Sequence, residues 1–316
     1  MIQIKLQKKL KNFQLDLDFQ TDKTRIGILG PSGSGKSMTL KMISGIESPD
    51  HGEIKIGGKT LYSSKEKINL PPQERDLGFL FQDYGIFPHL TVRGNLEILN
   101  PPQEMIAKLL RQFGLQSIEN QPADRISGGQ KQRLALARIM TRKNRALLLD
   151  EPFSALDYAL KEQIKFELMT ELNHLRLPYI MVSHSNVELY EFTDELIVLD
   201  RGRMILQGPT EAIFHRPEKL KVAKLLGVEN LFPADSDVGK KIPLKGDYFG
   251  IYERDIKLGP GQIQWEVEIK ERIRNPFSFD YLALCGLRFK SAKELMSGDR
   301  VLINVAKDKI HPLTDD

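Results

Sequence analysis

Between residues 13 and 19 hydrophobic and polar positions alternate, with Phe13, Leu15, Leu17 and Phe19 on one side and Gln14, Asp16 and Asp18 on the other. Successive side chains of a strand point to opposite faces, so this predicts a half-buried β-strand. Arg25–Leu29, Leu77–Phe81, Ala146–Leu149 and Tyr179–Val182 are short apolar runs that predict buried strands. Helical patterns lie between them. One helix opens near Gly35 and is closed by Gly45, another carries Leu134 and Ile139, and a third runs from about Asp157 to Leu175. Strand and helix in alternation predict an α/β core with a mostly parallel sheet, edged by the antiparallel opening strands.

Two segments break this rhythm. From Pro88 to about Arg125 the chain carries Pro101-Pro102 and a short amphipathic helix with Ile106, Leu109, Leu110 and Phe113, closed by Gly114. This predicts a helical insertion, extended by the next helix to span about residues 88–142. After Gly227 helical pattern gives way to short alternating runs, Val267 with Ile269 and then Val301, Ile303 and Val305, with Ser297-Gly298-Asp299 as a turn. These predict a small β-domain over 229–316, following a larger domain over 1–228. Trp265 and Cys285 are expected in the core of that domain, Cys285 as a small apolar residue between Leu284 and Gly286.

Composition narrows the function. A net charge of +4 gives no basic stripe of the kind that binds nucleic acid, so no nucleic-acid partner is expected. A single cysteine excludes an internal disulfide. No apolar run reaches the length of about eighteen residues that spans a bilayer, and Met-Ile-Gln-Ile-Lys lacks the apolar core of a signal peptide. Any membrane role is therefore expected from the cytoplasmic side, beside another chain that crosses.

The chemistry is concentrated in three motifs. Gly30-Pro31-Ser32-Gly33-Ser34-Gly35-Lys36-Ser37, followed by Met38, stands between a strand and a helix. Glycines there let backbone N–H groups approach phosphate oxygens, and the helix start adds its positive end. Lys36 is expected to reach the β- and γ-phosphates of ATP, and the Ser37 hydroxyl to ligate Mg²⁺. Asp150 ends a strand of three leucines, where its carboxylate can hold the same ion, and Glu151 follows it. Ser127-Gly128-Gly129-Gln130 opens a helix with paired glycines, which makes a second anion cradle.

Together these motifs resemble the ATP-binding-cassette (ABC) ATPases, from near the start of the chain to about residue 228. The resemblance implies that Glu151 polarises the attacking water, that Gln82 contacts Mg²⁺ or that water, and that His184 contacts the γ-phosphate. It implies that Ser154-Ala155-Leu156-Asp157 communicates between two ATP sites. Ser127–Gln130 would cap ATP held by a second copy of the chain, giving a head-to-tail dimer. Phe13 is the nearest candidate to stack on adenine, and its alternation with Leu15 and Leu17 suits a core role equally.

Phe87-Pro88-His89-Leu90-Thr91-Val92-Arg93-Gly94-Asn95-Leu96 is similar to the importer branch, and its Arg-Gly-Asn to molybdate-importer ATPase subunits. Ser183-His184-Ser185 points the same way. The resemblance then implies two transmembrane permease subunits as partners, an extracytoplasmic substrate-binding protein indirectly, and a peripheral place on the cytoplasmic face of the membrane. Sulfate, ferric iron or sugar import stays open, as does a soluble ABC ATPase acting on nucleic acid or ribosomes. Ile251–Gly259 is similar to a segment of the oligomer-binding-like domains that end such subunits, which serve in dimerisation or in ligand sensing.

Overall fold

Strands β1 (Ile2–Lys9) and β2 (Gln14–Thr21) run antiparallel with Leu6 opposite Leu17. Along β2 every second side chain is buried, as its alternation predicts. The structure, a computed structural model, describes residues 1–10, 13–154 and 158–315, and only the backbone of Tyr158, Ala159, Leu160 and Leu175. The chain forms two compact units, Met1–Thr210 and Glu211–Asp316.

In the first unit the remaining strands are β3 (Arg25–Leu29), β4 (His51–Ile56), β5 (Lys59–Ser63), β6 (Ile68–Asn69), β7 (Leu77–Leu80), β8 (Ala146–Asp150), β9 (Tyr179–Val182), β10 (Glu195–Asp200) and β11 (Arg203–Pro209). They form one sheet in the order β6-β5-β4-β1-β2-β11-β10-β3-β9-β8-β7. From β10 to β7 neighbours are parallel, whereas β6 to β2 form an antiparallel wing. The parallel strands are the unbroken apolar runs, because helices cover both their faces. Two hydrophobic clusters result. One includes Leu15, Ile28, Leu40, Leu148 and Val182, and the other includes Leu110, Leu134, Leu149 and Phe192.

Helix α1 (Lys36–Ser44) is stopped by Gly45 in the left-handed conformation at φ 84°. Between Pro88 and Arg125 lie α2 (Val92–Glu97) and the expected α3 (Gln103–Gln112), which buries Ile106, Leu109 and Leu110. α2 spans only six residues and escaped the periodicity for that reason. Its cause is local: Thr91 caps it by accepting from Gly94 N–H at 2.9 Å. Buried Asn95 staples the preceding loop, donating to Phe87 O and Thr91 O at 3.0 Å each and accepting from Phe87 N–H at 2.8 Å. Arg93 pairs with Glu119 at 2.7 Å. Arg93-Gly94-Asn95 thus builds the insertion. Helices α4 (Gly128–Ile139), α5 (Tyr158–Leu175) and α6 (Asn186–Phe192) complete the layers.

The second unit contains β12 (Asn230–Pro233), β13 (Tyr248–Ile251), β14 (Lys257–Leu258), β15 (Ile263–Arg274), β16 (Phe279–Ala283), β17 (Arg288–Ser291), β18 (Arg300–Val305) and β19 (Ile310–Leu313). They make two antiparallel sheets, β12-β13-β19 and β14-β18-β15-β16-β17, around a core that includes Trp265, Val267, Ile303 and Val305. Cys285 corrects the expectation. It is exposed, because Ala283 to Leu287 is a tight turn that also carries Leu284 into solvent at 60% exposure.

Candidate functional site

Strand register assembles the site. Val182 of β9 lies opposite both Ile28 of β3 and Asp150 of β8, and Leu80 of β7 lies opposite Leu149. These four of the parallel strands therefore end level, and the residues after them share one edge of the sheet, where open α/β folds bind ligands. Those residues are Gly30–Ser37 after β3, Gln82 after β7, Glu151 after β8 and His184 after β9.

The phosphate loop is shaped by close approach. A side chain at Gly35, whose φ is 104°, would reach within 2.3 Å of Leu15 Cδ1, and one at Gly30 would reach within 2.5 Å of the Leu199 carbonyl oxygen. Pro31, Ser32 and Gly33 are exposed, and Ser34 is buried with no hydrogen-bond partner for its hydroxyl. No side chain caps α1, so the N–H groups of Lys36, Ser37 and Met38 in its first turn lack an intrahelical acceptor and stay available to an anion. The Met38 side chain packs into the core instead. Lys36 is 5% exposed, and its ammonium donates to Gly30 O at 2.8 Å and Pro31 O at 3.0 Å. Burial lowers its pKa, opposed by the charges of Glu151 and Asp150.

Ser37 Oγ donates to Asp150 Oδ1 at 3.0 Å, joining the helix to the strand end. Burial raises the Asp150 pKa; the Ser37 hydrogen bond opposes this and the neighbouring Glu151 charge adds to it. A buried carboxylate beside a hydroxyl suits a hard divalent cation such as Mg²⁺. Among the described residues no group of three or more His, Cys, Asp or Glu could hold a metal alone, so phosphate oxygens or water would complete its shell. Glu151 adopts φ 50°, an uncommon left-handed conformation for a residue with a side chain. Its N–H donates to Val182 O at 2.9 Å, and its Oε1 lies 2.8 Å from His184 Nε2. His184 is half exposed and Gln82 is exposed.

Ser127 begins α4 with a capping box. Its hydroxyl accepts from Gln130 N–H at 3.3 Å, while Gln130 Oε1 accepts from Ser127 N–H at 2.9 Å. The box consumes those two N–H groups and leaves those of Gly128 and Gly129, the first two of the helix, without an intrahelical acceptor. The side-chain hydrogen bonds described for Ser127 and Gln130 are with each other. Asp157 lies outside the described residues. Phe13 is partly buried, with its ring against Gly35 and Gly202.

Sequence reading missed Arg75, which is fully buried. Its guanidinium donates to Met42 O and Ile43 O at 2.8 Å each, to Leu70 O at 2.8 Å and to Asn69 Oδ1 at 2.9 Å. It closes the C-terminal end of α1, whose other end faces the phosphate loop. Burial pushes its pKa down to about 10.

A glycine loop at a strand–helix junction, a lysine folded onto it and a serine–aspartate link across the strand ends define a phosphate site of the P-loop class. The ABC transporter family profile matches residues 11–154. The molybdenum import ATP-binding protein ModC of Vibrio cholerae is 39% identical over 214 residues, which cover 67% of this chain and 58% of that protein. ModC of Paramagnetospirillum magneticum is 35% identical, over 69% of this chain and 61% of that protein. The spermidine/putrescine import ATP-binding protein PotA of Mesoplasma florum is 35% identical over 260 residues, covering 76% of this chain and 72% of that protein. The chain belongs to the ABC transporter ATP-binding family. It spans about three-fifths of the length of the two ModC relatives. Among solved structures, an ATP-binding cassette crystallised as a dimer in a post-hydrolysis state with ADP and Pi superposes with a TM-score of 0.55 at 26% identity, over 66% of this chain and 99% of that one. Among the described residues no helix is long and apolar enough to cross a membrane.

Proposed function

We propose that this chain is the ATP-hydrolysing subunit of an ABC importer for an oxyanion, molybdate or tungstate, working as a head-to-tail dimer beneath two permease subunits. The meeting of Lys36, Ser37, Asp150, Glu151 and His184 at one sheet edge carries the reading of an ATPase. In this reading the loop N–H groups and Lys36 hold the β- and γ-phosphates. Ser37, Asp150 and Gln82 would hold Mg²⁺, which when bound neutralises phosphate charge. Glu151 orients the attacking water and takes up its proton. Its pairing with His184 keeps the two side chains aimed at one point, and His184 turns to the γ-phosphate when nucleotide enters. Ser127, Gly128, Gly129 and Gln130 serve the nucleotide of the second copy. The N–H groups of Gly128 and Gly129 lack an intrahelical acceptor, and the cassette solved with ADP and Pi is itself a dimer. Asp157 would pass the state of one site to the other. A phosphate gripped from both copies ties closure to ATP and release to hydrolysis.

The transported ion rests on the ModC relatives, and the PotA relatives are the reason to test it directly. Arg93-Gly94-Asn95 speaks for the insertion's architecture, and it reads no ion. The test is ATPase activity of the chain reconstituted with its permease and binding protein. The reading expects stimulation by molybdate or tungstate and none by spermidine or sulfate. Stimulation by spermidine alone overturns the ion while keeping the ATPase, and no Mg²⁺-dependent hydrolysis under any condition overturns both.

A further inference from the structure

We propose that Glu188 is a positioning residue for His184, a claim that rests on reading His184 as the γ-phosphate contact. Glu188 is only 4% exposed and stands in the first turn of α6. One carboxylate oxygen accepts the Ser183 hydroxyl, and the other takes the Lys161 ammonium from α5. Ser183 Oγ in turn accepts the N–H of Ser185 at 2.9 Å, and Ser185 Oγ accepts the N–H of Glu188 at 3.4 Å. The residues on both sides of His184 are thus fastened to Glu188.

This is a capping box widened by one residue. In the ordinary form the glutamate at the third helical position bonds directly to the N-cap N–H. Here Ser183 takes that N–H and passes the bond on to Glu188, so the closed ring encloses the turn that carries His184. The need is physical. The His184 side chain is 52% exposed and its Nε2 meets Glu151 Oε1, so its aim depends on that one contact and on the backbone of residues 183–185 that carries it.

A second rung supports the first. Lys165, one turn further along α5, pairs with Glu191 of α6 at 2.6 Å and with Glu162 at 3.1 Å. Two lysines four residues apart grip two glutamates three residues apart, which sets α6 in register with α5. A buried ion pair adds little net stability over apolar residues of similar size. What Lys161–Glu188 adds is direction, imposed on the segment that presents the histidine.

The test measures ATP affinity and kcat separately for Glu188→Ala, Ser183→Ala, Glu188→Gln, His184→Ala and His184→Ala combined with Glu188→Ala. Glu188→Ala is expected to lower kcat about tenfold or more, since misplacing a reacting group by about 1 Å costs on that order. ATP affinity should stay within about twofold, because the phosphate loop is untouched. Glu188→Gln keeps an acceptor for Ser183 and should recover most of the activity. In the His184→Ala background Glu188→Ala should have no further effect on kcat, because a residue acting through another is silent once that other is gone. Should Glu188→Ala fail to fold, Ser183→Ala breaks the same ring and must show the same silence. A full additional loss in the His184→Ala background, or a loss of ATP affinity matching the loss of kcat, overturns the proposal and leaves the ATPase reading standing. If His184→Ala itself keeps full kcat, the reading of His184 falls and the proposal with it.

Discussion

Arg75→Met removes a buried cation and puts an apolar chain of similar length in its place. Arg75 satisfies three backbone carbonyls, Met42 O, Ile43 O and Leu70 O, and one side-chain oxygen, Asn69 Oδ1. Methionine satisfies none. The carbonyls of Met42 and Ile43 belong to the last turn of α1, where a positive charge also offsets the helix dipole. Met42 O keeps the Gly45 N–H at 3.3 Å, so two carbonyls, Ile43 O and Leu70 O, are orphaned; at about 1 kcal/mol each they set a floor of about 2 kcal/mol. Breaking a buried charged network sets the upper end at about 5 kcal/mol. Holding the guanidinium charged inside the protein itself costs free energy, as its lowered pKa shows, and this keeps the net below the sum of the bonds. For a unit of this size each kcal/mol lowers the melting temperature by about 2–4 °C, so a fall of about 4–20 °C is expected. Urea unfolding followed by far-UV circular dichroism reads the loss. Trp265, the one tryptophan, lies in the second unit and gives a fluorescence channel of its own. A lysine at position 75 cannot span all four acceptors and should fall between wild type and Met. A loss below about 1 kcal/mol for Arg75→Met would refute the claim that Arg75 holds the far end of the phosphate-loop helix.

Lys36→Ala removes the buried cation at the phosphate loop. With charged hydrogen bonds worth about 1.5–3 kcal/mol, a loss of about 10- to 100-fold or more in ATP affinity is expected by titration of a fluorescent nucleotide; affinity within about threefold of wild type contradicts the assignment. Ser127→Arg places a long cation at the mouth of the second cradle, so hydrolysis should vanish while isolated chains keep wild-type ATP affinity in equilibrium dialysis; retained turnover contradicts the cradle's role. Burial lowers the His311 pKa below the ordinary histidine value of 6.5. The unfolded chain then binds the proton more readily, so stability is full above about pH 6.5 and declines as pH falls toward the folded-state pKa. His311→Phe should flatten the decline of the Trp265 unfolding midpoint between about pH 7.5 and about pH 5, and an unchanged slope counts against it.

The sequence was most readable where one constraint acts alone. Leu15, Leu17 and Phe19 show the period of a strand with one buried face, and Gly30–Ser37 carries conformational demands that few residue types meet. α3 stood out by its apolar stripe, whereas α2 is too short to show a period and depends on Thr91 and Asn95. Arg75 was invisible because an arginine among Pro71, Pro72 and Glu74 reads as a solvated turn. Only the fold brings Met42, Ile43 and Leu70 around it. Glu188 was hidden similarly, since its partners Ser183 and Lys161 come from different elements. Cys285 misled in the opposite direction. Apolar neighbours suggested burial, but the turn at Gly286, with φ 88°, lifts the residue out.

The central claim is that Gly128 and Gly129 of one copy complete the phosphate site of another. Sedimentation of Glu151→Gln at saturating Mg²⁺–ATP tests it most directly, because that variant should bind ATP without cleaving it. The account predicts a species of twice the 36.0 kDa chain mass, and its loss when Ser127→Arg is added to the same chain. A particle that stays at 36.0 kDa with ATP bound, or a dimer indifferent to Ser127→Arg, would contradict it.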